Sequence, residues 1–342
     1  MDILIVVILI VTLYLAFGIG SNDETMSSVV GSGTLSLNRA VIWGGFLACI
    51  GCIFLSEGVG KNIGSSLLGD TLQGQYDMWM MLAIILSTSI WLVFASKTGA
   101  PISTTHSVVG SVIGVAFVWS FIPGNDFVDS LNWLKLGKVA LGWVISPVLG
   151  MVTAFLMQTL ILKLINRKWQ KDGKIGFSEI ERSEKTFQYF LLIFISITQL
   201  SRGGNDSANA VGIYYGLVEN GDIPQNIASL LKVATGIMIA VGLILVGRNV
   251  IKNVGGSLIE MRPSDALAIE SSNALVVFTC TMLGLPISGS HVLIFAIVGS
   301  GLVKGEKPNW QALKKMVIAW IVTFPFAAML SGAFYLIFYL IF

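Results

Sequence analysis

Twice in this chain an aspartate is written into membrane-grade sequence, and nothing else constrains the fold as strongly. The apolar run 190–197 leads shortly into Gly203-Gly204-Asn205-Asp206-Ser207-Ala208-Asn209-Ala210. An ionised side chain at the bilayer centre costs about 2.5–3.5 kcal/mol on the insertion scale, so a partner, a cation or a water-filled cavity must offset it. Gly203 and Gly204 let the helix break or let another backbone approach closely. Asn205 and Asn209 share a helical face at i, i+4, with Asp206 beside them. The same pattern stands near the N-terminus as Gly20-Ser21-Asn22-Asp23-Glu24-Thr25-Met26.

The chain is 54% hydrophobic and 12% charged, against about 25% charged in soluble domains. It therefore reads as a polytopic protein whose first partner is the lipid bilayer. Nucleic-acid binding is excluded, because no basic stripe with interleaved aromatics exists. Cys49-Ile50-Gly51-Cys52 lies inside the apolar run 41–55 with no second pair of ligands, so packing rather than zinc or redox chemistry is expected. Cys280 stands alone on another apolar segment.

The first run, to Phe17, has an acidic n-region and is read as a membrane helix rather than a signal peptide. Further spans are expected at 40–55, 78–94, 139–164 and 316–342. The run 78–94 leads to Lys97, and Pro101-Ile102-Ser103-Thr104-Thr105-His106 follows. The spacing puts Pro101 in the first turn of a helix and the hydroxyls among its unpaired N–H groups. That helix, 108–121, is about half to two-thirds of the ~20 residues a span needs. It predicts a re-entrant hairpin, tolerated only where buried in protein or lining a cavity. Lys163, Arg167, Lys168, Lys171 and Lys174 then open a polar segment that the positive-inside rule makes a cytoplasmic loop.

The second half repeats the first. Asn22-Asp23 maps to Asn205-Asp206 at an offset of 183, and Pro101–His106 to Pro286-Ile287-Ser288-Gly289-Ser290-His291 at 185. Lys61–Ser66 maps to Lys252–Ser257 at 191, and Trp133 and Trp143 to Trp310 and Trp320 at 177. The organisation expected is an all-α membrane protein with a first repeat at 1–162, a cytoplasmic linker loop at 163–185 and a second repeat at 186–342. If each half crosses an odd number of times, the halves are inverted. Duplicated halves with interrupted helices at matching places are a transporter signature, with the site at the repeat interface.

At these residues the chain resembles the inorganic phosphate transporter (PiT) family. The resemblance rests on Gly-x-Asn-Asp in both halves, completed by Asn209-Ala210 in the second. It rests also on Pro-x-Ser-x-x-His after each interrupted helix, and on Glu260-Met261-Arg262-Pro263-Ser264 leading to Glu270. It implies cation-driven symport of inorganic phosphate, with sodium or protons, by a dimeric inverted-repeat protein of the cell membrane. Five departures stand out: Met26 replaces the family's second Asn, Glu24-Thr25 replace small residues, and Ala48 stands where many members have Glu. Arg202 stands where many have His, and Gly289 replaces a hydroxyl residue.

Phosphate needs donors. Two broken-helix N-termini supply N–H groups and partial positive charge, with hydroxyls from Ser103, Thr104, Thr105, Ser288 and Ser290 and close backbone approach at Gly289. The alternative is that these hydroxyls cap helices. Asp23 and Asp206 can accept from the P–OH that phosphate keeps and sulfate lacks. Sodium needs oxygens, offered by Asn22, Asp23, Asn205, Asp206, Asn209 and Gln199. Arg202 either grips phosphate as a bidentate fork or pairs with Asp206 at i, i+4. His106 and His291 are expected to orient the hairpins by hydrogen bonding. Glu270 either carries a proton or cation, or pairs with Arg262.

An intramembrane enzyme is excluded, since no Gly-x-Ser-x-Gly elbow or His-Glu-x-x-His is present. A channel would use symmetric rings of ligands, which two unequal half-sites in one chain do not make. Transport of another oxyanion, sulfate above all, is the serious alternative, and proton-coupled phosphate symport is the other. No resident cofactor is implied, only transported sodium.

Overall fold

The computed structural model describes residues 3–60, 67–172, 177–219, 221–258 and 260–342, without side chains at 167–172, 177–179, 219, 256 and 257. In the first half α1 (Ile3–Ser21), α2 (Ser27–Gly31), α3 (Leu37–Gly60), α4 (Asp70–Gln73), α5 (Met78–Thr98), α6 (Thr104–Trp119) and α7 (Trp133–Asp172) follow in order. In the second come α8 (Phe177–Glu219), α9 (Gln225–Gly242), a π-helical turn at Leu243–Gly247, α10 (Arg248–Ser257), α11 (Pro263–Met282), α12 (Gly289–Lys304) and α13 (Trp310–Ile341). Six helices among the described residues are long and apolar enough to cross a membrane, while α6 and α12 are shorter apolar helices.

The ends of these helices follow local chemistry. Asp77 caps α5 by accepting from the Met80 N–H at 2.8 Å, and Asn309 caps α13 through the Ala312 N–H at 3.1 Å. Pro263 opens α11, where its missing N–H costs nothing. Pro101 falls outside the first turn that the sequence suggested. It lies in the extended approach to α6, whose N-cap is Ser103, and Pro286 precedes the Ser288 N-cap of α12 in the same way.

The two copies of the Asn-Asp motif fold differently. In the first, the helix stops at Ser21, and residues 22–26 form an irregular link whose side chains are all buried. The backbone at that depth is enclosed by protein, as it must be. In the second, α8 runs unbroken through Gly203 and Gly204 for 43 residues, about 65 Å at helical rise. These glycines serve close approach instead: a Cβ at 203 would lie 2.5 Å from the carbonyl oxygen of Ala48 on α3.

The linker expected as a loop at 163–185 is largely helix, because α7 continues to Asp172 and α8 begins at Phe177. Of its cation cluster, the side chains of Arg167, Lys168 and Lys171 and all of Lys174 lie outside the described residues. So does the 61–66 segment of the duplication. The terminal segment is one helix, α13, with Pro325 inside it.

Each short helix packs on the long terminal helix of the other half, α6 against α13 and α12 against α7. The ends of α13 fix the polarity of the molecule. The Asn309 N–H donates to Leu258 O at 3.1 Å and Lys304 pairs with Asp265 at 2.8 Å, so the end of α12 and the start of α11 lie at one side. At the other end Phe342 stacks on Trp79, centroids 4.3 Å apart, beside the start of α5.

Candidate anion and cation site

The site forms where the α1–α2 link, the middle of α8 and the starts of α6 and α12 converge. Asn22 and Asn205 clamp the hairpins in matching fashion. Asn22 Nδ2 donates to Ser96 Oγ and Ala100 O at 3.0 Å each, and its Oδ1 accepts from the Ile102 N–H at 2.9 Å. Asn205 Nδ2 donates to Thr281 Oγ1 at 3.3 Å and Leu285 O at 3.0 Å, while its Oδ1 accepts from the Ile287 N–H at 3.4 Å. Both amides, expected among the cation ligands, are thus occupied in holding the chain just ahead of α6 and α12.

The two clamped tips meet, with Ser290 Oγ donating to Ile102 O at 3.4 Å. Two helix N-termini and their free N–H groups are therefore brought together, which concentrates donors and partial positive charge in one place. Ser103 spends its hydroxyl on capping, accepting from the His106 N–H at 3.3 Å. Ser288 makes no such cap, and its buried Oγ has no hydrogen-bond partner among the described residues. Thr104, Thr105 and Ser290 are buried in the first turns of the same helices.

Opposite them lies a charged cluster. The carboxylate of Asp23 accepts three hydrogen bonds: Oδ1 from the Thr25 N–H at 2.9 Å and hydroxyl at 2.5 Å, and Oδ2 from Gln199 Nε2 at 2.6 Å. Arg202, 5% exposed, donates from Nη1 to Glu24 Oε1 at 2.5 Å and from Nε and Nη2 to Asp206 Oδ2 at 3.3 and 3.2 Å. Asp23 Oδ1 stands 3.9 Å from the same Nη1. The expected i, i+4 pair is present, and Glu24 is a further, shorter partner that the sequence did not assign. Asn209 donates to Asp206 O at 3.0 Å. Gln199 Oε1 and Asn209 Oδ1 are buried without a partner among the described residues and remain available to a cation.

Glu270 does not pair with Arg262. Its Oε1 accepts from Ser28 Oγ on α2 at 2.6 Å, and Thr198 Oγ1 reaches its backbone carbonyl at 3.4 Å. His106 stacks on Trp143, while His291, tilted against Trp320, also has a hydrogen bond with the Trp143 backbone, the kind of tie expected of it. His106 lies 3.8 Å from Trp143, His291 4.1 Å from Trp320, and the two imidazoles 5.0 Å apart, all centroid to centroid. His106 Nδ1 and His291 Nε2 have no hydrogen-bond partner among the described residues.

Ser96 and Thr281, the clamp anchors, were not singled out by sequence reasoning, although their spacing of 185 repeats the Pro101–Pro286 register. Thr25, which orients Asp23, stands out in the sequence only as a departure from the family pattern, and Ser28, which reaches Glu270, carried no signal beyond lying near the motif.

The chain has relatives among known proteins. A model of the phosphate transporter family matches residues 17–331. A candidate phosphate permease of Pyrococcus abyssi is 26% identical, the alignment covering 100% of this chain and 99% of that protein. One from Chlamydia pneumoniae is 27% identical over 97% of each chain. Among solved structures, one described as the sodium-dependent phosphate transporter matches with a TM-score of 0.82 and 25% identity over 100% of both chains.

Proposed function

The chain belongs to the phosphate transporter family, and from that premise we propose that it imports inorganic phosphate by sodium symport with alternating access. It is a multi-pass membrane protein, and its family and structural neighbour are transporters rather than enzymes. One observation carries the mechanism: the starts of α6 and α12 meet at Ser290 and Ile102, facing Asp23, Arg202 and Asp206. The helix N-termini, Ser103, Thr104, Thr105, Ser288, Gly289 and Ser290 hold the anion, with Arg202 as its nearest side-chain cation. Asp23, Asp206, Gln199 and Asn209 supply oxygens to sodium, the hard cation that oxygen-rich shells suit. Asn22 and Asn205 act on both indirectly, through the hairpins, and Glu270 stands as a separate ion-coupling carboxylate.

The halves are read as inverted repeats meeting at this site. α5 starts at the side where α13 ends, whereas its counterpart α11 starts at the opposite side. The basic residues of the linker between the halves support a cytoplasmic position for it. A homodimer and a division at 1–162, 163–185 and 186–342 complete the reading. Uptake of labelled phosphate into proteoliposomes is the test. Replacing sodium by choline abolishes uptake if sodium drives it; undiminished uptake under a pH gradient makes the coupling ion a proton.

A further inference from the structure

Arg202 has the contacts of a bound cation rather than those of a surface ion pair. One guanidinium reaches Glu24 at 2.5 Å, Asp206 at 3.2 Å and Asp23 at 3.9 Å. It is also fitted into the start of α12, where a Cβ at Gly289 would lie 2.4 Å from Arg202 Nε and 2.8 Å from its Cζ. Glu24 is wholly buried, and the Ser290 hydroxyl lies beside its carboxylate. Glu24, Arg202 and Gly289 are three of the five places where the sequence departs from its family pattern, and they are one assembly. The glycine vacates the volume, the arginine fills it, and the extra carboxylate is the arginine's shortest partner.

We propose that Arg202 is a tethered cation standing in for one transported cation at Asp206, so that this chain moves one cation fewer per phosphate than its acidic cluster would otherwise bind. The proposal rests on the symport reading above. An arginine side chain stays charged at every physiological pH and cannot leave with the substrate, so the charge it supplies is absent from the coupling count. Asp206 Oδ2 accepts two of its N–H groups. A mobile cation at that oxygen would compete with a ligand whose local concentration is fixed by the covalent chain. Beside Arg202, the carboxylate left to mobile cations is Asp23, where Gln199 keeps an unpartnered Oε1 among the described residues; Glu270 stands apart from this cluster.

The experiment measures the limiting phosphate gradient sustained by an imposed sodium gradient in proteoliposomes held at zero potential. Each additional coupled sodium multiplies that limit by the sodium gradient itself, about tenfold for a tenfold gradient. Arg202→Gln is expected to raise the limit by this factor, and Arg202→Lys, which keeps the charge, to leave the wild-type value. Equal limits in wild type and Arg202→Gln would overturn the proposal. Should Arg202→Gln fail to fold, Glu24→Gln/Arg202→Gln removes the pair in balance and is expected to give the same tenfold rise. For any variant that binds without transporting, equilibrium binding of radioactive sodium to the purified protein decides. One more sodium per chain than wild type supports the tethered cation, and an unchanged count refutes it. Wild-type transport that ignores every cation gradient defeats the symport reading instead, and the binding count still judges Arg202.

Discussion

Asn22 and Asn205, 183 residues apart, hold two separate hairpins by the same three hydrogen bonds: two donated by the amide nitrogen and one accepted from a backbone N–H. Each asparagine thereby ties a segment that carries the acidic residues, the α1–α2 link or α8, to the helix start that carries the hydroxyls. The distance between the hydroxyl-bearing helix starts and the acidic cluster is set by these two side chains.

Replacing either asparagine by alanine strands a buried N–H and leaves carbonyl oxygens unpaired. We expect Asn22→Ala and Asn205→Ala each to cost about 1–3 kcal/mol of stability and at least tenfold in phosphate uptake. Thermal unfolding in detergent, together with uptake normalised to protein, checks both. A variant of full stability and activity would remove the clamp from the account.

Gly289→Ser puts back a side chain where Arg202 now lies. The Cβ would meet the guanidinium at its rigid end rather than at a flexible tip, so uptake is expected to fall at least tenfold. Adding Arg202→Gln frees the volume, and the double variant is expected to recover part of the loss. Uptake that is no better in the double variant than in Gly289→Ser would show that the two positions are not coupled.

Asn209 and Met26 occupy corresponding positions of the two motifs and are expected to respond differently. Met26 is fully buried, and its side chain contacts the approach of Gly44 to Leu243, so Met26→Ala should cost about 2–5 kcal/mol of stability with sodium half-saturation unchanged. Asn209→Ala removes a buried, unpartnered oxygen and should raise the half-saturating sodium concentration severalfold with little loss of stability. Sodium titrations of uptake, paired with unfolding curves, separate the two outcomes; equal sodium effects would contradict the unequal halves.

Much of this was legible in the sequence because it was written twice. Duplicate motifs locate Asn22, Asn205 and both hairpin starts without any structure, and the apolar runs find α1, α3, α5, α7 and α13 but leave α9 and α11 unassigned. The parts that sequence reasoning misplaced are those where the two copies diverge. Gly203-Gly204 suits a break and a close approach equally well, and only α3 lying against α8 decides for approach. Likewise Arg202 has an obvious partner four residues on, while Glu24 lies 178 positions away and becomes a partner only when α1 ends beside α8. The linker read as a loop because its residues are polar, yet polar sequence at the end of a long helix simply continues the helix beyond the bilayer.

Anion choice should follow protonation. A site that sets acidic side chains beside its donors can pair the P–OH of phosphate but meets only lone pairs on sulfate, and unpaired buried groups penalise the analogue heavily. Arsenate is expected to compete with labelled phosphate at comparable concentration, and sulfate to fail. Strong competition by sulfate, with direct sulfate uptake, would reassign the substrate.

The packing of α6 on α13 and of α12 on α7 is reciprocal in detail: a Cβ at Gly114 would lie 2.0 Å from Ala328 O, and one at Gly299 would lie 2.2 Å from Met151 O. The four residues match at the same offsets as the rest of the duplication. Each half therefore lends its long helix as the wall for the other's short one, like two people each steadying the other's ladder. Neither half is complete by itself. Cut within the linker and made as two polypeptides, the halves should be degraded singly and survive together, reassembling as a heterodimer of oppositely inserted chains.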